Sequence, residues 1–331
     1  MRANRTRTRR EGFVVIVVLC MVITLSVLLL AFSQESRANL YAVEDFRKSA
    51  QALNCARAGL NIAIAAGRDF GDTHVDKSLQ PLFSGENAIA LDQGQCLITV
   101  SQESGKLNVN LLKEANGKLN RMLIEHLLRL IDALNRDGAG ESPIDYSIAP
   151  SIMDWIDSDD QVTSLPFVKH KNLGAESNYY SRSRPSYRCR NTPVETIEEL
   201  LAVKGFSPEV LERLRDCLTV YGDGKININA ASEFMLASLS ENMDRALAQV
   251  IIERRRFEPF ESVAQLRDLP GMTDSLYNAI SRTLTVDPTD RYYTVTSRGD
   301  VDSLGRTVTA TLRMNEKTKS VQVVMYKEVT L

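Results

Sequence analysis

An apolar run from Phe13 to Phe32 follows directly on five arginines, at positions 2, 5, 7, 9 and 10, and the dipeptide Glu11-Gly12. Only Thr24 and Ser26 interrupt it with mildly polar side chains. At ~1.5 Å per residue the run is long enough to cross a ~30 Å hydrocarbon core as a helix. The clustered arginines hold its front end on the cytoplasmic side, so the remaining ~300 residues face outward. The sequence turns polar after Phe32 without breaking. Leu40, Val43, Phe46, Ala50, Leu53, Ala56, Leu60 and Ala63 recur at intervals of three and four, the spacing of one helix face. No proline lies between Phe13 and Gly67, so the pattern predicts a single helix of ~80 Å, its first half in lipid and its second half lying on a folded body.

A secretory signal would end in a small-residue cleavage site just after the apolar run. Here Ala31 to Glu35 follow, and the nearest glycine, Gly12, stands in front. The junction Gly12-Phe13 resembles the class III leader of type IV pilins and pseudopilins, which is cut after the glycine. The alternative is a signal anchor that is never cut. Loss of residues 1–12, with five arginines and one glutamate, takes the net charge from −2 to −6. That balance disfavours a nucleic-acid partner, because affinity for phosphate backbones rests on clustered Lys and Arg.

Beyond Gly67 the chain reads as strands, then helices, then strands. Gln95 to Val100, Tyr292 to Ser297, Val308 to Leu312 and Val321 to Tyr326 alternate as strands with one buried face. Between the first and the last three lies a mostly helical stretch. The fold class is therefore α+β: a long N-terminal helix plus an antiparallel sheet, with a large all-α domain of helix-hairpin-helix (SAM-like) repeats inserted between sheet strands. The expected divisions are a leader at 1–12, a transmembrane helix at 13–32, a first part of the sheet domain at 33–109, the all-α insert at 110–286, and the closing strands at 287–331.

Two repeats mark the insert. Gly105-Lys106-Leu107-Asn108-Val109-Asn110 recurs as Gly224-Lys225-Ile226-Asn227-Ile228-Asn229, each time ahead of a helical pattern. Asn110 and Asn229 are expected to cap those helices. Ile197, Leu200, Val203 and Gly205 match Val263, Leu266, Leu269 and Gly271, the pattern of paired helix-hairpin-helix units. DNA-binding versions need a second glycine two residues on, where this chain has Ser207 and Thr273. The hairpins therefore read as scaffold.

Asp154, Asp157, Asp159 and Asp160 put four carboxylates into seven residues, and Glu176 and Asn178 follow before Tyr179-Tyr180. Such a set repels itself unless it is solvated or bridged by a cation, and calcium tolerates its irregular spacing. It is not an EF-hand loop, since Val162 occupies the sixth position from Asp157 where that loop needs glycine. The residues leave open a solvated loop with helix-capping aspartates or a metal site. Cys55, Cys96, Cys189 and Cys217 lie outside the membrane run and can pair in three ways. Cys189 with Cys217, which flank one predicted helical segment, is the preferred pair. No nucleophile motif, phosphate-binding loop or zinc spacing is present, so the chain reads as a non-enzyme.

Together these motifs resemble one family over almost the full length, the general secretion pathway protein K family of large minor pseudopilins in type II secretion. The resemblance rests on Gly12-Phe13, the Asn-rich phrases at 107–110 and 226–229, the loop Asp154-Trp155-Ile156-Asp157-Ser158-Asp159 with Tyr179-Tyr180, and both hairpins. It implies removal of the leader by a prepilin peptidase, N-methylation of Phe13, and a single-pass subunit of the bacterial inner membrane with its C-terminal domain in the periplasm. It also implies a tip complex with the I- and J-type minor pseudopilins, contact with the H-type and major pseudopilins and the inner-membrane secretion platform, and export of folded proteins. Calcium is implied in the insert, with candidate ligands Asp157, Asp159, Asp160, Glu176 and Asn178; Asn178 departs from the acid the family often has. Val17 stands at the fifth mature position, where most pilins carry a glutamate that meets a neighbour's N-terminal amine. A subunit with no earlier neighbour needs no such carboxylate in lipid. Two other readings share features with this one: a membrane-anchored DNA receptor of the competence type, using the hairpins, and a minor pilin of type IV pili.

Overall fold

The computed structural model describes residues 5–68, 82, 87–114, 117–138, 142–288, 290–315, 318 and 320–329. Helix α1 runs unbroken over Arg5–Arg68, so the apolar run and the amphipathic stretch are one rod. From Phe13 to Phe32 its side chains are exposed. Further on, Ala52, Cys55, Ala56, Leu60 and Ala63 are buried against the sheet.

The strands in chain order are β1 (Asn87–Leu91), β2 (Gly94–Gln102), the short pieces β3 (Leu107–Asn108), β4 (Leu218–Thr219), β5 (Ile226–Asn227) and β6 (Leu284–Thr285), then β7 (Arg291–Val301), β8 (Leu304–Asn315) and β9 (Ser320–Val329). The main sheet has the order β1-β2-β7-β8-β9 and is antiparallel throughout. Alternation sends Cys96, Ile98, Val100, Tyr293, Val295, Val308, Ala310, Leu312 and Met314 to one face, where they form a core with α1. The approach is close because β7 carries Gly299 at the crossing, where a Cβ would fall on Ala52 O and Ala56 N. β2 and β7 are direct neighbours with Cys96 opposite Gly299. Everything between them is therefore an excursion from the sheet.

That excursion has its own core of buried apolar side chains. Its helices are α2 (Arg121–Asp137), α3 (Ile148–Ile156), α4 (Ser177–Tyr180), α5 (Pro208–Leu214), α6 (Glu233–Ala237), α7 (Arg245–Phe257) and α8 (Asp274–Ile280). Helix α2 buries one stripe, Leu123, Ile124, Leu127, Leu130, Ile131 and Leu134, whereas α3 is buried on every side. The insert is not purely helical, and it begins before residue 110. β3 pairs in parallel with β4, and β5 with β6, inside it. Strand β1, absent from the sequence expectation, adds an edge to the main sheet.

The two Asn-rich phrases fold alike, but Asn110 and Asn229 do not cap the α-helices that follow. Asn120, not Asn110, caps α2, and Ser232, not Asn229, caps α6. Instead Asn108 and Asn227 each accept the amide two residues on, at 3.0 and 2.9 Å. Asn110 then clamps a distant backbone, accepting from Val194 N at 2.7 Å and donating to Val194 O at 2.9 Å. Asn229 does the same to Phe260, at 2.8 and 2.9 Å. Each clamp sits just before a hairpin, Ile197–Ala202 then α5, and Val263–Asp268 then α8. Gly205 and Gly271 turn the hairpins with φ of 91° and 89°, which glycine adopts without strain. The insert is thus two copies of a clamp-plus-hairpin unit. Tyr221 of the insert stacks on Tyr292 of β7 at 5.2 Å, joining it to the sheet.

Candidate metal centre

Helix α3 ends at Ile156, which puts Asp154 in its last turn and Asp157 at its C-cap, three residues apart on one face. The chain then loops out and returns so that Glu176, immediately before α4, meets them. One ligand oxygen from each of Asp154, Asp157 and Glu176 lies within 4.8 Å of the other two. Gly174 makes room, since a Cβ there would fall on the Asp154 carboxylate.

The oxygens of this cluster are poorly met by donors. Asp154 Oδ1 accepts from Thr163 N at 2.8 Å, but among the described residues no donor meets Asp154 Oδ2 or either oxygen of Glu176. Asp157 Oδ1 accepts from Asp159 N at 3.2 Å, and its Oδ2 is paired with Lys113 Nζ. Burial, and then the neighbouring aspartates, push the Glu176 carboxyl up to about 8. Burial is also the largest cause of the rise at Asp154, opposed by the hydrogen bonds from Thr163 and reinforced by Asp157. Buried acceptors without donors are costly, and three carboxylates at this spacing match a hard divalent cation that takes oxygen ligands. The residues present fit calcium.

Of the five ligands expected from the sequence, the structure brings Asp157 and Glu176 together. Asp160 lies at the rim, its Oδ1 accepting from Ser177 N at 3.3 Å and its charge adding to the rise at Glu176. Asp159 is exposed, accepts from Gln161 N at 2.8 Å and stands 4.0 Å from Lys113. Asn178 is exposed on α4. Asp154 was not among the expected ligands, although the spacing Asp154-x-x-Asp157 on a helix was the signal for it. Lys113 carried no signal, being 44 residues from its partner.

An aromatic floor supports the site. Trp155 packs edge-on against the fully buried Tyr180 at 5.2 Å and donates Nε1–H to Glu199 Oε1 at 2.9 Å. Tyr180 Oη accepts from Lys204 N at 3.2 Å, and Lys204 Nζ donates to Gly174 O at 3.1 Å. Cys189 Sγ donates to Asp154 O at 3.3 Å, while Cys217 Sγ lies 3.3 Å from Ser232 Oγ. Both are free thiols with separate partners, so the expected Cys189–Cys217 bridge is not formed. In the hairpins, Ser207 and Thr273 accept from Val210 N and Leu276 N as helix caps. At the other end of the chain, Gly12 and Phe13 lie within the continuous α1, and Phe13 and Val17 are exposed on the apolar rod.

Residues 105–223 and 226–287 match two sequence models of one family, described as type II secretion system (T2SS), protein K. The division falls between the two clamp-plus-hairpin units. The type II secretion system protein K of Pseudomonas aeruginosa is 24% identical over 232 residues, a match that spans 69% of this chain and 63% of that relative's length. A chain of the solved GspK–GspI–GspJ complex from the enterotoxigenic Escherichia coli type 2 secretion system shares the fold. Its TM-score is 0.63 at 20% identity, over 90% of this chain and 100% of that one.

Proposed function

The chain belongs to the type II secretion system protein K family, and from that premise we propose that it is a minor pseudopilin at the tip of a periplasmic pseudopilus. The observation that carries this reading is the undivided helix α1, which joins an exposed apolar rod to a small sheet whose neighbouring strands β2 and β7 hold a large helical head. A rod of that kind packs against equivalent rods of other subunits. A head that wide leaves no room for a further subunit above it.

The leader is removed between Gly12 and Phe13 by a prepilin peptidase, Phe13 is N-methylated, and the rod remains in the inner membrane with the head in the periplasm. Val17, in place of an acid, suits a subunit with no earlier neighbour. The printed partners of the solved relative, GspI and GspJ, are the subunits we expect this chain to meet. H-type and major pseudopilins and the inner-membrane platform are expected below them. The work is assembly, not catalysis, in support of exporting folded proteins. A mature charge of −6 gives nucleic acid little to hold.

Calcium belongs to the same proposal, with Asp154, Asp157 and Glu176 as its holders and Asp159, Asp160 and Asn178 around them. Bound there, the cation supplies positive charge that ties the end of α3 to the returning loop. The chain's own part is to aim three carboxylates inward and to shield them with Trp155 and Tyr180.

Co-expression of the full chain with I- and J-type pseudopilins, followed by detergent extraction and affinity capture of this chain, tests the central reading. A stoichiometric ternary complex is expected. Recovery of this chain alone, with the two smaller subunits paired without it, would refute it.

A further inference from the structure

We propose that the loop after α4, with the turn that precedes α4, is a docking surface for a folded protein presenting a cluster of carboxylates. Residues 161–190 hold six cations, Lys169, Lys171, Arg182, Arg184, Arg188 and Arg190, against the single acid Glu176. That is a net of +5 in a chain whose charge without its leader is −6, so the remainder carries −11. Two of the six cations are already neutralised. Lys171 pairs with Asp145 at 2.7 Å, and Arg190 pairs with Glu195 and Glu199. Arg182, Arg184 and Arg188 are exposed and, among the described residues, meet no carboxylate.

The loop that bears these arginines is closed and supported. α4 ends at Tyr180, and the chain returns so that Tyr187 N donates to Tyr180 O at 3.4 Å. The two rings stack at 5.2 Å, Tyr187 meets Trp155 edge-on at 6.3 Å, and its hydroxyl donates to Ala202 O at 2.8 Å. Both ends of the loop thus rest on the insert, and a loop held in this way has little further entropy to lose on binding. Lys204 joins the loop to the turn before α4. Its Nζ donates to Leu173 O and Gly174 O, each at 3.1 Å, and lies 5.4 Å from the centre of the Tyr179 ring. These partners are carbonyls, which leave its positive charge in place. Of the eight large apolar side chains of the insert that are described and exposed, five fall between Val162 and Tyr187. Leu173 and Tyr179, on either side of Lys204, are 53% and 48% exposed. Single exposed apolar residues need no partner, whereas tyrosines and arginines gathered around a rigid loop have the chemistry of interface hot spots.

Charge selects the occupant. A guanidinium pairs with a carboxylate or a phosphate through parallel N–H···O bonds. A bilayer or a duplex is an extended polyanion, and it would also press phosphates on the acidic remainder of the head. That remainder begins at the border of the surface with the exposed Asp159 and Asp160, since Asn191 Nδ2 donates to Asp159 O at 2.7 Å. A protein face can be smaller and mixed. It can set carboxylates on the three arginines and apolar groups on Leu173 and Tyr179 while keeping its own acids clear of Asp159 and Asp160. The rod takes no part in this surface, so the inference goes beyond the assembly reading and does not depend on it.

The test uses the full chain in phosphatidylcholine nanodiscs, titrated with a fluorescent peptide of glutamates that carries a leucine at every fourth position. Phosphatidylglycerol vesicles and a short DNA duplex are titrated in parallel. The peptide should bind saturably and more tightly than either. The triple variant R182E/R184E/R188E should weaken the peptide about tenfold or more, because each reversal turns an attraction into a repulsion. Arg184→Glu alone should give part of that loss. Reversing three exposed cations elsewhere on the insert, K225E/R256E/R282E, should change binding by less than about twofold at physiological salt. Tyr179→Ser should weaken binding about threefold in high salt, where charge is screened and apolar contact remains. Melting followed by Trp155 fluorescence checks that each variant is folded. Absence of saturable peptide binding, equal losses in the two triple variants, or tighter binding of the vesicles or the duplex would overturn the proposal.

Discussion

Removing the cation should loosen the insert by an amount that follows from the spacing of its carboxylates. Two like charges 4.8 Å apart repel by about 3.5 kcal/mol at an effective dielectric of ~20. Lys113 pairs with Asp157 and leaves Glu176 without a cation beside it, so an ion-free site must protonate Glu176 or open the loop. Calcium at one hundred times its dissociation constant would add about 2.7 kcal/mol to the folded state. For a unit of ~150–250 residues that amounts to a melting shift of about 5–11 °C. Trp155, the single tryptophan of the chain, lies beside Asp154, so its fluorescence follows the site during melting. The full chain in detergent would be melted in EDTA, in millimolar calcium and in millimolar magnesium. The shift should occur with calcium and be smaller with magnesium, which demands stricter geometry. Glu176→Gln should abolish the calcium increment while leaving the ion-free form no less stable, because Glu176 is already pushed toward its neutral form there. Melting within about 1 °C in EDTA and calcium, on a scale where 1 kcal/mol moves Tm by ~2–4 °C, would refute the reasoning.

Two further substitutions probe other parts of the fold. Gly299→Ala places a Cβ on Ala52 O and Ala56 N, backbone atoms that cannot step aside, and should cost about 1–3 kcal/mol. Limited proteolysis should then release the stem from the sheet while the calcium-dependent melt of the insert persists; unchanged stem protection would count against the close contact. Burial, and then Arg129, hold the His126 imidazole at about 4, well below its ordinary 6.5. Its contribution is intact above pH 6.5 and is lost as pH falls toward 4, up to about 3 kcal/mol. In calcium, His126→Gln should flatten that acid limb, and superimposable limbs for the two proteins would show that His126 does not drive it.

The parts of the fold legible in the sequence were those set by periodicity. The stem was readable because its apolar positions recur over fifty residues without a proline, and the long strands because alternation sends every second side chain to α1. Strand β1 is short and gave no such signal. The Asn-rich phrases were visible as repeats, but their job was not, because Asn110 and Asn229 bind backbone at Val194 and Phe260, 84 and 31 residues away. Local reading turns any asparagine before a helical pattern into a cap, and here tertiary contacts decided otherwise. At the candidate metal centre, the acidic cluster was obvious and its inward members were not. Which aspartates turn inward depends on where α3 stops, and that placed Asp154 inside and Asp159 outside. The cysteines show the same limit, since only packing turns Cys189 toward Asp154 O and Cys217 toward Ser232 Oγ and so keeps them apart.

The state of the amino terminus decides most directly whether the chain is processed as a pseudopilin. Mass spectrometry of the intact chain and of its N-terminal peptide, from membranes of cells with an active prepilin peptidase, reads it in one step. A chain beginning at N-methylated Phe13 is the expected result. A chain still beginning at Met1, with all five arginines in place, would contradict it.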